Sequence, residues 1–394
     1  MRILFISRWF PYPPNNGSKL RIINLLRGLS NFHIVDLLSF TDRVVSESDL
    51  LILHNYCQSI KTEPWITYNP HSPQARFGYL RLVPRSLIDT YSHSMARGIM
   101  EMLEKHSYDL VIASQLDTAI YRRHFIGVPA LFEEVEVGVL YMRYLLAKTQ
   151  KQKLRSWLTW EKHKHFLKHL LREFQNCSVV SAQERNLILK EISTDVNIDI
   201  IPNGVMLSEY DKIEIPPQSN TIIFTGPFTY YVNYEAMCWF VENVYPRIQE
   251  KIPDVKLIIT GDSAGLKLPN KKNVVHLGYV EDVRVHIASS WVSVAPLLQG
   301  GGTRLKIIES MALHTPVIST TIGADGLGAC PGKDLIIADT PDDFASAVVQ
   351  VLINERLRKE ISINAYQFVR ENLDWSVIMP SFLDLVEKTA YSRT

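Results

Sequence analysis

A chain of 394 residues is too long for one ordinary core and suits two domains of about 150–200 residues each. Its apolar content of 46% is that of a folded protein, and a formal charge of +1 excludes any global pull toward nucleic acid or membrane, so a basic patch must be local. Cys57, Cys177, Cys238 and Cys330 are widely spaced, with no CxxC or Cys/His cluster, which argues against structural zinc and for buried or inert thiols in a reducing compartment.

The opening "MRILFISRWF" has too short an apolar run for a signal peptide, and no stretch of about 18 apolar residues follows, so a cytoplasmic location is expected. "RILFI" reads as a strand. A turn-rich loop, "PYPPNNGSK", a helix over "LRIINLLRGLS" and a second strand, "IVDLLSF", complete a βαβ pattern. "YDLVIAS", "VPALFEEV" and "CSVVSA" continue it as near-continuous apolar strands, the signature of a parallel sheet buried on both faces. Between them, Leu140 to Phe174 reads as helical and basic, with nine Lys or Arg among Trp157, Leu158, Trp160, Phe166 and Leu170. Such a segment either lies on anionic lipid or packs its aromatics into the core.

"IIPNGVMLSEYDKIEIPPQSN" is rich in Pro, Asn and Ser and reads as the domain junction. After it come six further strands, "TIIFTG", "VKLIITG", "NVVHLG", "WVSVAPL", "TPVIST" and "DLIIAD". An amphipathic helix from about Trp375 to Ala390 closes the chain.

Gly300, Gly301 and Gly302 follow the strand "WVSVAPL", and a helix is expected from near Thr303. Glycines admit close backbone approach, and the exposed N–H groups of a helix start favour an anion. Arg304 and Lys306 add full charges there, and Glu309 stands one turn on, about 10 Å from the helix mouth, the span from a diphosphate to a ribose. The plain alternative is a loose loop with a Lys306–Glu309 surface pair. No P-loop and no GxGxxG is present. Gly17, Ser18 and Lys19 form a second possible anion seat, or a helix capped by Ser18. Asn203–Gly204 is a turn signal that could also line a cleft. Gln115, Glu133, Glu134 and Glu136 end first-half strands; of these, Glu136 and Gln115 are taken as the catalytic candidates.

The motifs "IIPNGVMLSEY", "GGGTRLKIIESMALHTPVIST" and "IGADGL", with the N-terminal stretch and "DWS" before the last helix, resemble the GT-B glycosyltransferases of retaining family 4. The resemblance implies two Rossmann-like α/β domains facing a central cleft. Residues 1–204 would form the acceptor side, with helix 375–394 crossing back to it, and residues 205–374 the nucleotide-sugar side. It implies that Glu309 holds the donor ribose, that Gly301, Gly302 and Thr303 face the diphosphate and sugar, and that Gly17 approaches the phosphate. The backbone from Tyr279 and Val280 to Glu281 would meet the base, and Asn203, Gly226 and Gly261 complete the donor set. Two departures stand out: Gly301 occupies the place of the family's first glutamate, and the loop "TGPFTYYVNYE" lacks the family's cations. Arg304 and Lys306 would supply that charge and stabilise the leaving diphosphate.

The expected reaction is sugar transfer from an NDP-sugar to an acceptor hydroxyl on a glycan or lipid, with retention, with no cofactor and no metal, at a site that takes no nucleic acid. A sugar-nucleotide epimerase of the same fold and a catalytically silent nucleotide-sugar-binding subunit are the alternatives.

Overall fold

The computed structural model describes residues 1–300 and 304–392. They form two parallel α/β units: one of Met1–Pro202 with the residues from Met379 on, the other of Asn203–Ile378.

Among the described residues the first unit holds a seven-stranded sheet: β1 (Arg2–Ser7), β2 (Ile34–Thr41), β3 (Ser59–Pro64), β4 (Leu110–Ser114), β5 (Ala130–Glu133), β6 (Asn176–Val179) and β7 (Asn197–Ile200). The order is β3-β2-β1-β4-β5-β6-β7, and every pairing is parallel. Inner strands such as β4 are buried throughout, as their apolar runs require. The edge strands β3 ("SIKTEP") and β7 ("NIDI") escape a reading based on apolar runs, because an edge strand is only partly buried and stays polar.

The helix Gly17–Ser30 follows β1 and buries Ile22, Ile23, Leu25, Leu26 and Leu29. Its cap is Asn16, whose Oδ1 accepts from the Lys19 N–H at 3.0 Å, not Ser18. The basic stretch after β5 is two helices, Gly138–Leu145 and Gln150–Leu171, because Thr149 forms a capping box with Gln152 and restarts the helix. Trp160, Leu167, Leu170 and Leu171 lie in the core, whereas Leu154, Trp157 and Leu158 are exposed.

The second unit carries β8 (Gln218–Thr225), β9 (Lys256–Thr260), β10 (Val274–Gly278), β11 (Ser290–Ala295), β12 (Val317–Ser319) and β13 (Ile336–Ile337). Their order is β10-β9-β8-β11-β12-β13, again all parallel. Phe224, Phe240, Tyr245 and Phe344 centre its core.

The stretch read as a junction is folded into this unit. Val205, Leu207 and Tyr210 are buried with Ile307, Ile308 and Leu373. The Val205 N–H donates to Leu373 O at 2.9 Å, and the Trp375 N–H to Val205 O at 3.0 Å. Gly204 is a site of close approach rather than a free turn: a Cβ there would collide with the Leu373 carbonyl. In the closing helix Trp375–Ala390, Met379 covers Gly28, and Thr389 Oγ1 accepts from Asn176 Nδ2 at 3.0 Å. All four cysteines are free; Cys57 and Cys177 are buried and Cys330 is exposed. Among the described residues no helix is long and apolar enough to cross a membrane.

Candidate functional site

Each sheet has one point where strand addition changes direction: beside β1, between β2 and β4, and beside β8, between β9 and β11. Open α/β sheets present ligand sites at the carboxyl ends of strands at such points, where the loops diverge and leave a crevice. In both units the polar side chains of interest gather there.

In the second unit, β11 leads to Gly300 and then to the helix Leu305–Ala312, with Arg304 at its N-cap position. Gly301, Gly302 and Thr303 lie outside the described residues. Arg304 is 8% exposed, and its guanidinium folds back over Gly300. Gly300 adopts φ +111°, and a Cβ there would stand 3.0 Å from Arg304 Nη2 and 3.2 Å from the Tyr230 hydroxyl. Only glycine meets both demands.

Lys306 does not pair with Glu309. Its ammonium donates to Thr225 O at 2.6 Å and to Asn233 Oδ1 at 2.8 Å, and lies 5.0 Å from the Phe224 ring centroid. Thr225 is the last residue of β8. The loop after β8 contains no cation of its own, so Lys306 brings one to the end of that strand from the helix after β11. Burial, reinforced by Arg304 and opposed by Glu309, pushes the Lys306 pKa down to about 7. Among the described residues this ammonium is held by neutral acceptors, and it is in place to meet an anion.

Glu309 accepts a hydrogen bond from the Tyr210 hydroxyl at 3.0 Å. Burial raises its pKa, while Tyr210, Arg284 and Lys306 act against that rise. The Tyr210 hydroxyl leaves the other carboxylate oxygen of Glu309 outside that bond.

Gly226 and Gly261 are brought together: a Cβ on Gly261 would lie 2.8 Å from Gly226 Cα and 3.1 Å from Pro227 Cα, and Gly261 has φ +115°. The Gly261 N–H donates to Gly278 O at 2.7 Å. Beside them opens a pocket of about 510 Å³ lined by residues that include Gly261, Asp262, Leu266, His276, Gly278 and Tyr279. Tyr279 is 68% exposed and Val280 half-buried. A flat, partly apolar ring fits such a wall. Asn203 is buried just before Gly204, where the chain enters this unit.

In the first unit, the helix starting at Gly17 meets the ends of β4 and β5. Gln115 Nε2 donates to Ser18 Oγ at 3.1 Å and to Glu134 Oε2 at 2.8 Å. Gln115 and Glu134 both lie in the left-handed region, φ 70° and 59°, a conformation that non-glycine residues adopt at a cost and keep where the surroundings hold them. Beneath them, Arg21 Nε donates to Glu133 Oε1 at 2.6 Å, and Ser114 Oγ donates to Glu133 Oε2 at 2.7 Å. Arg21 and Glu133 are almost wholly buried. Burial, with the neighbouring Glu133 and Glu136 charges, pushes Glu134 up to about 8 against the pull of Arg21. The carboxylate that Gln115 holds is therefore Glu134, while Glu136 is exposed. The cluster "EEVE" was the signal for Glu134; its backbone conformation was not readable. Nothing in the sequence pointed to Arg8, which stacks on Trp9 and Trp65 just past β1, its guanidinium 4.1 and 3.4 Å from the ring centroids.

Residues 219–354 match the family of glycosyl transferases, group 1. The match takes in most of the second unit, including β8 and the helix that carries Lys306 and Glu309. Over 96% of its length the chain is 23% identical to an uncharacterized 44.6 kDa protein in the cps region of Klebsiella pneumoniae, covering 98% of that protein. Among solved structures it resembles sucrose-phosphate synthase from Thermosynechococcus elongatus, with TM-score 0.71, 17% identity and 98% of both chains covered. It also resembles Anabaena HepE in complex with UDP and glucose, with TM-score 0.68, 12% identity and 98% of this chain and 100% of that one covered. The architecture of two Rossmann-like α/β units is thus that of the GT-B glycosyltransferases.

Proposed function

We infer that this protein is a glycosyltransferase that moves a hexose from a nucleotide-sugar donor to an acceptor hydroxyl on a glycan or lipid, with retention of anomeric configuration. The observation that carries the reading is Lys306: a desolvated ammonium at the end of β8 that donates to Thr225 O and Asn233 Oδ1. Leaving-group charge builds on the diphosphate as the glycosidic bond breaks, and fixed cations stabilise that charge without reorganising. Lys306 and Arg304 take this role, so the reading calls for no metal. Glu309, oriented by Tyr210, accepts from the ribose hydroxyls, and the pocket beside Gly261 and Tyr279 receives the base. The UDP and glucose in the HepE complex favour a uridine nucleotide.

On the acceptor side, Gln115 fixes Glu134, and Glu134 hydrogen-bonds the incoming hydroxyl. A carboxyl whose pKa is near 8 exchanges a proton readily at neutral pH. Glu134 thus takes the role the sequence suggested for Glu136, and Gln115 is a positioning residue.

The test is to incubate the protein with UDP-, GDP- and ADP-hexoses and with lipid and oligosaccharide acceptors, and to follow sugar transfer and product anomer. Transfer with retention is expected. An isomerised donor without transfer would make the protein an epimerase, and binding without turnover a silent subunit; either outcome overturns the reading.

A further inference from the structure

Arg8 directly follows β1 and is 8% exposed. Its guanidinium lies between the rings of Trp9 and Trp65, and among the described residues it makes no hydrogen bond and no ion pair. A guanidinium is planar, so with both faces covered only its edge, where the N–H donors lie, is left open. The stack is itself fixed. The Trp65 N–H donates to Thr41 O at 2.8 Å, and the Trp65 ring meets Phe40 edge-on, 5.1 Å between centroids. A desolvated charge without hydrogen bonds is costly, and this one is held in place by its neighbours rather than relieved by them.

Asp117 is its counterpart. It stands in the short helix Leu116–Ala119 after β4, which Thr118 Oγ1 ties to Ser114 O at 2.7 Å. Asp117 is half-buried, and among the described residues its carboxylate also takes part in no hydrogen bond. Burial pulls the Arg8 pKa down to about 10 and raises that of Asp117, and each charge offsets part of the other's shift. The two therefore share one field without touching. Ser7 pairs with Ser114 in the sheet, so Arg8 and Gln115 leave adjacent strands side by side. Asp117 lies two residues beyond Gln115, which holds Glu134.

The surrounding charges balance. Lys19 is 9% exposed, donates to Asn15 Oδ1 at 3.1 Å and is repelled by Arg8. Asp42 is exposed and attracts both cations, and Arg43 pairs with Asp49 at 2.7 Å. An anion drawn to Arg8 would meet Asp117, and a cation drawn to Asp117 would meet Arg8. A neutral group that both accepts and donates satisfies the two together. A hydroxyl does so, and two hydroxyls on neighbouring carbons span a wider gap than one.

We propose that Arg8 and Asp117 clamp two neighbouring hydroxyls of a neutral sugar ring, beside the hydroxyl that Glu134 meets. Calling that ring the acceptor rests on the transfer reading above; the clamp itself does not. The acceptor is then a sugar with a free vicinal diol.

The full chain is titrated, with saturation-transfer NMR as the readout, against the methyl glycosides of glucose, galactose, mannose, rhamnose and N-acetylglucosamine. Methyl glucuronoside is the charged control. At least one neutral glycoside is expected to bind. In the wild type, removing either of two adjacent hydroxyls from the best binder should weaken it about tenfold. Asp117→Asn, and Arg8→Met, which keeps a side chain between the two tryptophans, should each weaken the parent glycoside about tenfold and leave UDP affinity unchanged. In each variant one of the two deoxygenations should then cost nothing further, a coupling that a merely structural role would not produce. The clamp is overturned if no neutral glycoside binds, if no adjacent pair of hydroxyls matters in the wild type, if methyl glucuronoside binds more tightly than every neutral glycoside, or if folded Asp117→Asn keeps full sensitivity to both deoxygenations. Coupled binding in a protein that transfers no sugar keeps the clamp and refutes the transfer reading alone. Sugar transfer with an unchanged acceptor KM in both variants does the opposite.

Discussion

Lys306 gives the sharpest prediction because its charge is conditional. In the folded chain its pKa is lowered from 10.5 to about 7 by burial, with Arg304 adding repulsion. An anion binds only the charged form. Between pH 7 and pH 9 the charged fraction falls from about one half to about one hundredth, so diphosphate affinity should weaken about 50-fold. Nucleotide phosphates are already ionised over this range, so their own titration adds little. Lys306→Met removes a charge-assisted contact of about 1.5–3 kcal/mol, a loss of roughly 10- to 150-fold at neutral pH or below. It should also flatten the pH profile. Calorimetry with UDP at several pH values reads both effects. Unfolded Lys306 keeps its proton up to about 10.5, so between about pH 7 and 10.5 the unfolded state binds more protons. Stability of the wild type should therefore rise with pH across that window relative to Lys306→Met. UDP affinity that stays constant from pH 7 to 9, or that is unchanged by Lys306→Met, would refute the phosphate role.

Other outcomes follow from the same geometry. Glu134→Gln should lower kcat about a hundredfold, with the pH dependence near 8 lost and UDP affinity kept; an unchanged pH profile removes Glu134 from proton exchange. Arg21→Met should destabilise by about 3–5 kcal/mol, because it strands the buried Glu133 charge; an unshifted Tm in thermal unfolding contradicts this. Gly261→Ala should cost about 1–3 kcal/mol and weaken UDP binding, since the new Cβ meets Gly226 and φ is +115°; wild-type Tm and affinity would show that the two loops separate freely.

The parallel α/β architecture was legible because buried strands are written as apolar runs, and these survive as β1, β2, β4 to β6 and β8 to β13. What was lost is local and polar. Strands β3 and β7 sit at a sheet edge and lack the apolar signature. The break in the helical stretch Leu140 to Phe174 was missed because the Thr149–Gln152 capping box that restarts the helix lies inside a basic stretch. At the candidate site, Lys306, Glu309 and Gln115 stood out by position after strands. Their partners did not, because they are fixed by tertiary approach: Thr225 is 81 residues from Lys306, and Tyr210 is 99 from Glu309. The positive φ of Gln115 and Glu134 is likewise a property of packing that composition does not record.

The pairing of Val205 with Leu373 and Trp375 sets the two ends of the second unit side by side, with Gly204 pressed against the Leu373 carbonyl. That unit is therefore an inserted module whose entrance and exit share one doorway. A fragment of residues 203–378 would begin and end at neighbouring points, the arrangement that permits excision, grafting into another scaffold or circular permutation without opening a gap in the sheet.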